Sequence, residues 1–116
     1  AINTAKQMFD EIGNAGVHYI AAENCLATIA FSEGEFENAK ELFKKVADST
    51  KSFFGKNAEY ASACDGLARC LVKLKDYKNA KEYMSEAAAV YAKVLGENSD
   101  IAKMAKLNAE KIAERI

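Results

Sequence analysis

The feature that most constrains this 116-residue chain is that it repeats itself at an offset of 41 residues. Residues 14–54 laid over 55–95 match identically at Tyr19/Tyr60, Ala22/Ala63, Leu26/Leu67 and Ala27/Ala68. The identity continues through Asn38-Ala39-Lys40-Glu41 over Asn79-Ala80-Lys81-Glu82, and returns at Ala47/Ala88. Phe36/Tyr77 and Phe43/Met84 are conservative pairs in the same register. One further step of 41 brings Gly55, Asn57 and Ala61 onto Gly96, Asn98 and Ala102. A fixed period of this size marks stacked supersecondary units, each too small to bury its own apolar face alone.

Within a unit the apolar spacing is helical twice over. Phe36, Ala39, Phe43, Val46, Thr50 and Phe53 recur at intervals of 3 and 4, and Tyr77, Ala80, Met84, Ala87, Tyr91 and Val94 repeat the pattern. That spacing predicts one buried face of a helix of about five turns. The preceding segments, 17–33 and 58–74, carry Leu26, Ala27 and Ala30, then Leu67, Ala68 and Leu71. Ser32-Glu33-Gly34-Glu35 and Lys73-Leu74-Lys75-Asp76 are short enough only for a tight turn between antiparallel neighbours. Gly55 and Gly96 stand where C′ glycines end a helix, and Asn57 and Asn98 where an N-cap starts the next. Each unit thus reads as helix A, turn, helix B, turn. Ala27 with Ala39, and Ala68 with Ala80, are the small residues that let paired axes approach to about 8–9 Å.

Composition agrees and excludes. There is no proline and only six glycines, which favours helix over a strand-rich fold. Sixteen basic residues balance seventeen acidic ones, so the chain lacks the field that nucleic acid or an anionic membrane surface would demand. No apolar run approaches the ~20 residues of a membrane span. Cys25, Cys64 and Cys70 form an odd set without Cys-x-x-Cys spacing, which reads as small buried hydrophobes in a reducing, cytoplasmic setting. His18 is the single histidine, so neither a metal site nor a nucleophile–base pair is expected. No phosphate-cradling loop is present, and the expectation is no enzyme activity, no cofactor and no metal.

These residues resemble the tetratricopeptide repeat: Leu26-Ala27, Phe36, Ala39, Phe43 and Val46, then Leu67-Ala68, Tyr77, Ala80, Met84 and Ala87, with Gly34 before the aromatic. The 41-residue period, with Leu95-Gly96-Glu97-Asn98 and Ala102 echoing Phe54-Gly55-Lys56-Asn57 and Ala61, is similar to kinesin-light-chain-style repeats. The helix A aromatic of that pattern is replaced by Ala30 and Leu71. The resemblance implies an all-α, right-handed superhelix of antiparallel helix hairpins, about six helices in one domain. Residues 1–13 would be the end of a partial unit, 14–54 and 55–95 the repeats, and 96–116 a capping helix. In that last helix Ile101, Met104, Ala105 and Ile112 form the expected apolar side and lysines the wet one.

The resemblance also implies where binding takes place. Helix A lines the concave groove of such repeats, which places Ala21, Asn24, Thr28, Phe31 and Ser32 of the first unit there. The second unit contributes Ser62, Asp65, Arg69, Val72 and Lys73, and the last helix Lys103 and Lys106. An amide, hydroxyls, two apolar faces and a cationic strip suit an extended peptide, with acidic residues favoured by Arg69, Lys73, Lys103 and Lys106. The carboxylate clamp of chaperone-binding repeats is matched only at Lys103. The expected function is a protein- or peptide-binding adaptor, with self-association through the terminal helices as the alternative.

Overall fold

A computed structural model describes the backbone of residues 15–116 and the side chains of 20–116. Five helices follow one another: α1 (Ala15–Ser32), α2 (Phe36–Phe54), α3 (Ala58–Lys73), α4 (Tyr77–Leu95) and α5 (Asp100–Ala113). Among the described residues there is no strand. Each helix packs mainly on its neighbours in sequence, so α1–α2 and α3–α4 form hairpins and α5 lies on α4. The described residues form the all-α solenoid of helical hairpins that the periodicity predicts. The expected partial unit at 1–13 lies outside the described residues.

The core is an alanine-lined seam closed by a few large residues. Ala27, Ala39, Ala68 and Ala80 have no exposed surface, as close helix approach requires. Phe43, Leu67 and Met84 fill the layer between them. Phe36 opens α2 half-buried, its ring edge-on to Phe31 of α1 at 5.3 Å between centroids.

The two A-to-B turns are built alike, bond for bond. Glu35 N donates to Ala30 O and Gly34 N to Phe31 O, while Asp76 N donates to Leu71 O and Lys75 N to Val72 O. This is the paired bonding of a Schellman motif, with Gly34 and Lys75 at the position that takes positive φ. Their φ values are 81° and 65°, so Lys75 holds a left-handed conformation that costs an L-residue energy. The B-to-A turns differ from expectation. Gly55 and Gly96 have positive φ with extended ψ, a region open essentially to glycine, and each donates a single bond four residues back.

Four further expectations are corrected. Asn57 caps α3, with its Oδ1 accepting from Tyr60 N at 2.9 Å, but α5 is capped by Ser99 and not by Asn98. Phe53 and Val94 continue the helix B stripe in sequence yet are 64% and 46% exposed, because the last turns run past the neighbours that bury the rest. Helix α5 buries Ala102, Ala105, Ala109 and Ile112 and leaves Ile101 and Met104 exposed, so its outer face is not purely polar. Cys64 and Cys70 are buried but Cys25 is exposed; all three are free thiols.

Candidate functional site

A trough runs between the A helices. Its middle section, about 330 Å³, is lined by Asn24, Thr28 and Phe31 of α1, by Phe43 of α2, and by Ser62, Asp65, Gly66 and Arg69 of α3. The glycine shapes this stretch: a Cβ on residue 66 would stand 2.6 Å from Cε1 of the Phe43 ring. Asn24 and Ser62 also line a second section of about 430 Å³, walled by Ala21, Val46, Thr50 and Phe54. Phe31 and Arg69 also line a third section of about 730 Å³ between the α3–α4 turn and α5. Three sections joined by shared residues make one continuous surface.

The third section is polarised. Arg69, Lys73, Lys75, Lys111 and Arg115 surround a floor of Phe31, Val72, Tyr77, Met84, Met104 and Ile112. Among the described residues no carboxylate lines this section. The Arg115 guanidinium stacks 5.7 Å over the Tyr77 ring, which fixes a cation above an aromatic wall. Asp65 lies one helical turn from this section and accepts from Arg69 Nε at 2.8 Å. The i,i+4 pair holds the guanidinium in place and leaves its terminal nitrogens free to bind.

The structure brings together Asn24, Thr28, Phe31, Asp65, Arg69, Val72 and Lys73 along this trough, with Ala21 and Ser62. It does not bring Lys103, Lys106 or Ser32 to it; all three are exposed elsewhere. The contribution of α5 comes instead from Met104, Asn108, Lys111, Ile112 and Arg115, although its buried Ala102, Ala105, Ala109 and Ile112 keep the register of Ala61, Cys64, Ala68 and Leu71. Two signals were present in the sequence: Lys111 and Arg115 stand four apart, and Lys75 occupies the turn position of Gly34. What hid them was tertiary: the section forms only where residues of α3, α4 and α5 come together.

A polar lock ties α3 to α4. Glu86 Oε2 accepts from Lys56 Nζ at 2.8 Å and from the Tyr60 hydroxyl at 2.9 Å. The Lys56 hydrogen bond holds the Glu86 carboxyl below its ordinary value. Burial, followed by the bond to Glu86, keeps Tyr60 a neutral phenol. Among the described residues no cluster of three or more His, Cys, Asp or Glu could hold a metal ion. None of the described helices is long and apolar enough to cross a membrane.

Hairpins stacked so that their A helices line a trough define an α-solenoid. The family model described as tetratricopeptide repeat matches residues 19–93, and the chain belongs to that family. No curated protein matches the chain. The family is one of protein-interaction scaffolds.

Proposed function

We propose that the trough binds an extended peptide segment bearing acidic residues, and that the chain works as a non-enzymatic adaptor or scaffold. One observation carries this reading: among the described residues, five cations and no carboxylate line the end section in a chain whose net charge is −1. The apolar floor beneath them suits an acidic segment that also presents an aliphatic or aromatic residue. The three free cysteines support a reducing, cytoplasmic setting. Calorimetric titration with an acidic peptide and its Asn/Gln isostere, at low and high salt, tests the proposal. The acidic peptide should bind at least tenfold tighter at low salt, and the difference should shrink as salt rises. Equal affinities at both salts would refute it.

A second reading, self-association, is favoured by a different observation. Ile101 and Met104 correspond in the repeat to Tyr60 and Ala63, which are buried, yet they are 53% and 54% exposed. Sedimentation over a concentration series decides this point. A mass that rises with concentration and falls back in Ile101→Glu supports it; a constant monomer mass excludes it.

A further inference from the structure

The first unit has a cavity where the second has a side chain. Thr50 and Tyr91 occupy the same place in the repeat. Tyr91 is buried, with Ser62 and Asp65 close enough to act on its hydroxyl. The first-unit counterparts of Ser62 and Asp65 are Ala21 and Asn24, and both line the cavity at Thr50. Thr50 itself is 1% exposed, and its Oγ1 has no hydrogen-bond partner among the described residues. A buried hydroxyl in this state is one that an incoming polar group would satisfy.

We propose that this cavity is a socket for the tyrosine side chain of a bound peptide, filled in trans as Tyr91 fills the equivalent space in cis. The proposal rests on the trough reading above and adds to it the residue that anchors the ligand. Val46 and Phe54 supply apolar walls for a ring, while Thr50 Oγ1 offers a partner to a phenol hydroxyl. A phenyl ring would leave the Thr50 hydroxyl unmet. The socket is about 430 Å³, ample for one ring. Ser62 and Arg69 are seven residues apart on α3, about 10 Å, and Ser62 and Lys73 eleven, about 16 Å. An extended chain covers those distances in about three to five residues, which sets the spacing from the tyrosine to its acidic neighbours.

The test uses p-cresol as the ring probe and a peptide with one tyrosine three to five residues from two glutamates. In the full chain p-cresol should shift the amide NMR signals of Ala21, Thr50 and Ser62 and leave Lys81 unmoved. Toluene should bind at least fivefold more weakly. Thr50→Tyr, which supplies the ring internally, should abolish the p-cresol response. Replacing the peptide tyrosine by alanine should weaken binding at least tenfold to the unaltered chain and less than twofold to the Thr50→Tyr chain. Should that variant fold poorly, Thr50→Val keeps the shape and removes the hydroxyl, and should erase the preference for p-cresol over toluene. The socket is refuted if p-cresol leaves those three signals unmoved, or if tyrosine and alanine peptides bind alike while the glutamates still matter. Tyrosine dependence that survives loss of the glutamates upholds the socket and removes the acidic-peptide reading instead.

Discussion

The Phe43 ring lies so flat against Gly66 that an added Cβ would meet three of its carbons at 2.6 to 2.8 Å. Glycine in mid-helix is unfavourable, so α3 accepts a propensity loss of about 1 kcal/mol to admit a ring from α2. Phe43 is buried, so its ring would have to shift within a packed layer. Gly66→Ala should therefore destabilise the chain by about 1–2 kcal/mol, the overpacking cost exceeding the helix gain. Urea midpoints check this, and Phe43→Leu in the same chain should recover part of the loss.

Lys75 makes the opposite prediction. It holds a φ of 65° where the first unit has Gly34, and it lines the cationic section. Lys75→Gly should stabilise the fold by up to about 1 kcal/mol by relieving the left-handed strain. The same change should weaken an acidic peptide, because one of the cations is gone. A gain in melting temperature without loss of binding would remove Lys75 from the site.

Acid sensitivity should centre on Glu86. Its carboxyl is held below the ordinary value of 4.5, first by the Lys56 hydrogen bond and then by Tyr60. A carboxyl lowered in this way contributes stability above its ordinary pKa and loses it as pH falls through the folded value. Glu86→Gln should lower stability at pH 7, and the gap to the unaltered chain should close below about pH 4. A gap that stays constant from pH 7 to pH 3 would mean the lock contributes no ionic stabilisation.

The thiols should divide two to one. Burial pushes Cys64 and Cys70 up to about 11, so at pH 8 they carry little thiolate, whereas Cys25 is exposed. Iodoacetamide at pH 8 should label one site rapidly, and peptide mapping should place it at Cys25. Rapid labelling of all three would show that the core opens readily.

The hairpins were legible because their signals are local. Apolar intervals of 3 and 4, an identical Asn-Ala-Lys-Glu block and glycines at fixed offsets each act within a turn or two of helix. Asn24, Thr28, Phe31, Asp65, Arg69, Val72 and Lys73 line the trough because helix A presents the same positions in each unit, and their role in binding is the proposal. What failed depends on neighbours. Phe53 and Val94 keep the stripe but overrun the helices that would cover it. Ile101 and Met104 have the spacing of a core face and lack a described helix to cover it. Lys103 and Lys106 hold the groove positions of the repeat register, yet Lys111 and Arg115 are the α5 cations that line the end section. The Thr50 cavity was present in the alignment as Thr50 over Tyr91, yet a missing ring becomes a cavity only when three helices surround it.

Charge reversal within the trough tests the central claim most directly. Arg69 lines both the middle and the cationic sections, while Lys81 is an exposed residue of α4 away from the trough. In calorimetric titration with an acidic peptide, Arg69→Glu should weaken binding at least about tenfold, or about 1.4 kcal/mol. Lys81→Glu should leave the affinity within about twofold, or about 0.4 kcal/mol. Loss of binding in the Lys81 variant with full affinity in the Arg69 variant would put the ligand on the convex face and contradict the account.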